Sequence, residues 1–363
     1  MFSIYISATA LANTYLQECD KPFEKQSDWY KILCRSSKIF TYGYDVDTSK
    51  DDIIDENDIS DLAVLDSISL SGNLSPADDY VESILSDNKA VLKHPNAAFF
   101  LDIDSTEAKN IQENYGVICQ SVKEPIDTSV FTRPSISVNF EKDKKSDKGW
   151  DKVLQEPAKL PSNSICIIDR YLFDDKQAIS IGLNTITLIL LYALPNKFND
   201  TYHVTIIYDQ NGYNLREIAQ QIFRVAEKIS EDKGYKIKVQ ILAIDDNEAS
   251  YTHKWTHNRR IMSAYYIIPY GNGVNVLCYN EQDGETQAMY NQRVQASTLY
   301  ENCLMFEDSD PPISEIDVVR KQAKECIERW QSGRNKYTSK PHYYYLDNEG
   351  HTTINNFNIA SFS

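Results

Sequence analysis

Tyr202-His-Val-Thr-Ile-Ile-Tyr-Asp209 and Lys236-Ile-Lys-Val-Gln-Ile-Leu-Ala-Ile244 decide the fold. Both are short runs rich in β-branched and aromatic residues, a composition that suits a buried, pleated surface. Between them, Leu215 to Lys233 carries Ile218, Ile222, Val225, Ala226 and Ile229 on one face of a 3.6-residue period and stops at Gly234. An amphipathic helix is predicted there. Strand, helix, strand in that order makes a crossover that leaves the two strands parallel. Ser164-Ile-Cys-Ile-Ile-Asp169 reads as a third buried strand, and Ile181 to Leu194 as the mostly apolar helix that follows it.

The three strands close with Asp169, Asp209 and Asp245. In a sheet wound by right-handed crossovers these ends share one edge, where ligands usually bind. Beyond them, Ile261 to Pro269 is expected to be one aromatic-rich strand. A turn at Tyr270-Gly-Asn-Gly273 and a strand Val274 to Tyr279 would add antiparallel strands to the sheet. Helical patterns return at Thr286 to Tyr300 and Pro312 to Ser332. The tail after Lys336 has no clear period and is expected to lie over the surface.

Upstream, the chain also alternates strand and helix. Phe2 to Ala8 reads as a strand, Leu11 to Cys34 as one or two helices, and Ala97-Ala-Phe-Phe-Leu-Asp-Ile-Asp104 as a strand ending in acids. Ser105 to Asn114 is expected to be a capped helix, and Tyr115 to Ser121 to resume extended structure after Gly116. Lys123 to Pro161 carries four prolines and the charge run Glu141 to Gly149, and reads as a linker. The division predicted is therefore a small acidic α/β domain over residues 1–125, a linker over 126–161, and a second α/β domain over 162–363. The second is expected to be a mixed sheet flanked by helices.

The 363 residues carry 53 acids against 37 bases, a net charge of −16. Residues 1–125 hold 22 acids and 10 bases, or −12, with the densest run at Asp45 to Asp66. Such a balance argues against a nonspecific nucleic-acid coat or a basic membrane binder. The seven cysteines show no CxxC or Cys/His metal spacing, so free thiols and a cytoplasmic location are expected. No motif calls for a cofactor, and the longest apolar run, Ile186 to Leu194, is too short to span a bilayer.

One segment concentrates titratable chemistry, Tyr251-Thr-His-Lys-Trp-Thr-His-Asn-Arg-Arg260. In a phosphate reading His257 attacks phosphorus or shuttles a proton, while Arg259, Arg260, His253 and Lys254 hold phosphate oxygens and Asp169, Asp209 and Asp245 support them. A zinc reading places His253 and His257 on one helical face, but no Glu follows His253 and no third His lies nearby, so no metal is assigned. A structural reading pairs the arginines with nearby acids. A separate reading uses Asp102 and Asp104, with Asp45 to Asp66 or Asp78-Asp79, to bind Mg²⁺ in the manner of PIN-like nucleases, against a helix-capping role at Ser105.

Residues Ser164 to Cys278 resemble one half of a phospholipase D-like domain. The resemblance rests on the strand ending Ile165-Cys-Ile-Ile-Asp-Arg-Tyr, the strands His203 to Asp209 and Lys236 to Ile244, and the late element His257-Asn-Arg259. It implies a phosphate-binding site with His257 at its centre. Active members carry Lys and a following Asp in that element and pair two such elements. Here Arg259 replaces the Lys, no Asp occurs in Ile261-Met-Ser-Ala264, and one copy exists. The resemblance therefore implies a catalytically degenerate module binding a phosphate-containing ligand or nucleic acid, with a protein partner or homodimer, as an accessory of bacterial defence or mobile-element systems. An active phosphodiesterase or nuclease, and a non-catalytic protein-interaction subunit, are the alternatives.

Overall fold

The computed structural model describes residues 3–35, 38–43, 74–130, 136–137, 149–155, 157–173, 176–209, 215–244, 259–269, 299–300 and 343–352. The expected features at Asp45 to Asp66, Asp245 to Asn258 and Tyr270 to Tyr279 lie outside these residues, as does nearly all of the Glu141 to Gly149 run. The described residues fall into two compact α/β units, one from 3–130 and one from 136–300 with 343–352.

The first unit opens with β1 (Ile4–Ser7), whose last residue caps α1 (Ala8–Glu18) by accepting the Ala10 amide on its hydroxyl. The Leu11 to Cys34 pattern resolves into α1 and a second helix, α2 (Asp28–Arg35), with a short 3₁₀ turn at Phe23–Lys25 between them. Then come β2 (Ile39–Tyr42), β3 (Leu74–Pro76), α3 (Asp78–Ser86), β4 (Ala98–Leu101), α4 (Ser105–Tyr115) and β5 (Ile118–Ser121). All five strands are parallel, in the order β3-β2-β1-β4-β5. Tyr5 is the hub of one core face, stacked on Phe40 at 4.7 Å and on Phe99 at 5.1 Å. The cap of α4 is Asp104, not Ser105, and its side chain makes no capping hydrogen bond; Gly116, left-handed at φ 60°, ends the helix.

In the second unit, β6 (Ile136–Ser137) forms a two-stranded pair with β12 (Leu299–Tyr300). A six-stranded mixed sheet holds β7 (Ser164–Ile168), β8 (Tyr202–Asp209), β9 (Ile237–Ile244), β10 (Arg260–Ser263), β11 (Ile267–Pro269) and β13 (Tyr343–Asp347), in the order β11-β10-β7-β8-β9-β13. β7, β8 and β9 are parallel and the other three join antiparallel. Helices α5 (Gly149–Leu154), α6 (Lys176–Ala193) and α7 (Leu215–Lys233) accompany the sheet.

Three expectations are corrected here. The carboxyl-terminal part of the predicted linker is core, because Trp150, Val153 and Leu154 follow a helical spacing and are all buried. Ile261 to Pro269 is two strands, since the Ser263 amide donates to the Tyr266 carbonyl and turns the chain without Gly or Pro. The tail is not a surface coil over Tyr343–Asp347, which closes the sheet against β9 with Tyr345 buried. Among the described residues no helix is long and apolar enough to cross a membrane. Cys19, Cys34, Cys119 and Cys166 are free thiols.

Candidate functional site

Because β7, β8 and β9 run parallel, their carboxyl ends lie along one edge of the sheet. Asp169 follows β7 directly and Asp209 ends β8; they are 1% and 2% exposed. The pairing of Arg260 with Ile168 places Arg259 opposite Asp169, one step beyond the last rung. Arg259 Nε lies 3.7 Å from Asp169 Oδ1, and its guanidinium sits 4.5 Å over the Tyr171 ring. Arg170 pairs with Asp209, Nε to Oδ2 at 2.8 Å, and its guanidinium approaches the same Tyr171 ring at 5.4 Å. The Arg259 and Arg170 side chains are 14% and 16% exposed, and their acids are buried.

The local sequence explains this geometry. Asp169 accepts the Tyr171 amide on Oδ1 at 2.9 Å, an Asx turn that swings the chain away as soon as the strand ends. Leu172 and Phe173 then carry it beneath α6, where Gly182 allows close approach. A Cβ at Gly182 would meet the Leu172 carbonyl oxygen and lie 2.7 Å from Phe173 Cε1. Phe173 in turn packs edge-on against Tyr208 of β8, with centroids 4.9 Å apart. A fixed, apolar foundation therefore supports the Asp169-Arg170-Tyr171 corner.

Of the residues singled out in the sequence, the structure brings Asp169, Asp209 and Arg259 to this edge. Arg260 begins β10 beside them and is buried; its charge opposes the upward push of burial on the Cys166 thiol. His253, Lys254, His257 and Asp245 lie outside the described residues. Arg170 and Tyr171 carried the family resemblance but were given no site role, although the tripeptide Asp169-Arg-Tyr171 held the signal: an Arg and an aromatic immediately after a strand-end acid.

The first unit has its own edge of this kind. Its strand order reverses between β1 and β4, the position where such sheets bind ligands. Tyr42 reaches over the end of β1 to fill it, its hydroxyl accepting the Asp102 amide at 2.8 Å and donating to the Phe100 carbonyl at 3.1 Å. Asp102 lies 3.4 Å from Lys123, and Asp78 accepts the Gly43 amide. Among the described residues no trio of ligating side chains gathers there, and the Asp45 to Asp66 partners of the Mg²⁺ reading lie outside them.

Such a trio does occur elsewhere, as Asp347, Glu349 and His351 at the opposite edge of the second sheet. Its members are already engaged. Glu349 receives Lys236 at 2.7 Å and Lys238 at 2.6 Å, and these two hold its carboxyl down at about 2. Asp347 accepts the Tyr345 hydroxyl and lies 2.9 Å from His351 Nδ1. Two ammonium groups balance the two carboxylates, and the arrangement is a clasp that fastens β13 to β9.

A comparison with protein-family models finds no match for this chain, and a comparison with curated proteins finds no relative.

Proposed function

We propose that the second unit binds a phosphate-bearing ligand, nucleic acid included, at the carboxyl edge of β7 and β8, as a phospholipase D-like module without efficient turnover. One observation carries the reading. Arg259 is stacked over Tyr171 at this edge, which sets a planar, permanently charged group of the kind that receives phosphate oxygens beside the ends of β7 and β8. The absence of Lys and Asp from the His257-Asn-Arg259 element supports binding over catalysis. An accessory role in bacterial defence or mobile elements rests on the family resemblance alone.

A structural role for the arginines is favoured by the 2.8 Å pair between Arg170 and Asp209, which uses one guanidinium to neutralise a buried acid. Fluorescence anisotropy with a labelled single-stranded oligonucleotide, at about 50 and about 200 mM salt, separates the two. Under the phosphate reading Arg259→Ala weakens binding roughly tenfold and flattens the salt dependence. Under the structural reading it lowers stability and leaves binding unchanged.

A further inference from the structure

We propose that the turn Asp347-Asn-Glu-Gly-His351 in the second unit binds a divalent transition-metal ion of the zinc class, with Asp347, Glu349 and His351 as its ligands. One atom from each, a carboxylate oxygen or an imidazole nitrogen, lies within 4.8 Å of the other two. His351 Nδ1 stands 2.9 Å from Asp347 Oδ2 and 3.9 Å from Glu349 Oε2. Around a tetrahedral zinc ion with bonds of about 2.0–2.1 Å the ligand atoms are roughly 3.3 Å apart, so small side-chain rotations bring all three to bonding distance. Water completes the four. The imidazole among the ligands favours zinc over calcium or magnesium, which take oxygen.

The turn is fixed without an ion. The Asp347 amide donates to the His351 carbonyl at 3.2 Å and the Gly350 amide to the Asp347 carbonyl at 3.1 Å, a closure in which Gly350 takes a left-handed φ of 89°. Asp347 Oδ1 accepts the Glu349 and His351 amides at 3.0 and 2.9 Å, which commits that oxygen to the backbone and leaves Oδ2 beside the imidazole. Asn348 fastens the turn to β9, its side chain accepting the Val239 amide and donating to the Ile237 carbonyl. Behind Asp347, Gln240 donates to the Tyr345 hydroxyl and that hydroxyl donates to Oδ2, the outer support that orients a metal-binding carboxylate. The His351 side chain is 50% exposed and that of Glu349 31%, so an ion reaches them from solvent.

A cation already holds part of this place. Lys238 Nζ sits 2.6 Å from Glu349 Oε2, the oxygen that lies 3.9 Å from His351, while Lys236 takes Oε1 at 2.7 Å. An incoming ion replaces Lys238 on Oε2 and leaves Lys236 where it is. The displaced ammonium, on its flexible four-carbon stem, turns to water. His351 coordinates as neutral imidazole through the Nδ1 lone pair and carries its hydrogen on Nε2. The clasp on β13 is therefore the ion-free form of the site, and the carboxylates of Asp347 and Glu349 supply the two negative charges that the ion needs.

The test uses the full chain, with zinc chloride followed by titration calorimetry and cobalt(II) chloride followed by absorption. Zinc is expected to bind with a Kd tighter than about 100 μM, and His351→Ala, at a half-exposed side chain, to weaken it at least roughly tenfold. Lys238→Met removes the competing ammonium and is expected to tighten binding about threefold to tenfold. Cobalt(II) should show the bands of nitrogen and oxygen ligands without thiolate charge transfer, which separates this site from the cysteines. Zinc should also raise the unfolding midpoint of the parent more than that of His351→Ala. No binding at about 1 mM overturns the proposal, as does equal binding by the parent and His351→Ala, since the cysteines would then hold the ion. A Lys238→Met variant that binds zinc no more tightly than the parent overturns it too.

Discussion

Arg259 and the Tyr171 amide converge on one oxygen atom, Oδ1 of Asp169, from 3.7 Å and 2.9 Å. The acid therefore fixes both the ring and the cation stacked on it. Asp169→Asn keeps the shape and removes the charge that holds Arg259 back. We expect the variant to bind the oligonucleotide more tightly than the parent, and to lose about 1–3 kcal/mol in urea unfolding because a buried charge-assisted contact is gone. If Asp169→Asn binds no tighter and Arg259→Ala binds no more weakly, the edge is not an anion site.

Gly182 should tolerate no side chain. Gly182→Ala drives a methyl group into the Leu172 carbonyl and the Phe173 ring, and helix propensity returns less than about 1 kcal/mol of the overpacking cost of about 1–3 kcal/mol. A net loss of stability together with weaker oligonucleotide binding is expected, since the corner above would shift. A variant as stable as the parent would show that α6 and the turn can part freely.

Ser162, just before β7, reaches β8 and β10 through one hydroxyl, bonded to the Tyr202 hydroxyl at 2.6 Å and to the Ser263 hydroxyl at 2.8 Å, all of them buried. Ser162→Ala takes this partner from the buried Tyr202 hydroxyl, while Ser263 keeps its bond to the Ser164 carbonyl, and is expected to cost about 1–3 kcal/mol. In a double-mutant cycle with Ser263→Ala the two losses should fall short of adding, because each single change already removes the bond the two hydroxyls share. Strict additivity would count against a connected network.

His203 gives the second unit an acid limb. Burial first, and then the ammonium of Lys238, lower its imidazole from 6.5 to about 4; Lys236 adds to this, while Asp200 and Glu349 oppose it. Between those values the unfolded chain binds a proton that the native state refuses, so stability falls as pH drops from 6.5 toward 4. The loss is on the order of 3 kcal/mol, and His203→Gln should flatten that window. Glu349, whose carboxyl is lowered to about 2, acts in a separate window: its contribution is present above about 4.5 and fades as pH falls toward 2. Unfolding midpoints measured from pH 7 to 3 check both, and an unchanged slope in the His203 variant would refute the assignment.

The parts of this fold legible in the sequence are those decided locally. β8, α7 and β9 each carry a complete period of their own, and the Gly234 stop is unambiguous. The strand-end acids Asp169 and Asp209 followed from the parallel order alone. Trp150 was hidden by the charged run before it, which set the character of the whole stretch. The turn at Ala264-Tyr265 carries no turn residue, so nothing in the chain announced it. Arg170 and Tyr171 act through Asp209 and Arg259, partners on other strands, and no reading of one segment could supply those.

β13 bears on how the molecule is made. The hydrogen bond from Gln240 to the Tyr345 hydroxyl spans 105 residues of chain. During synthesis, β9 leaves the ribosome long before the strand that covers it, and its apolar Ile237–Ile244 edge must wait uncovered for Tyr343–Asp347 to arrive. Nascent chains halted in that interval would carry a ready template for pairing with one another, which makes this the stretch of translation in which a chaperone matters most.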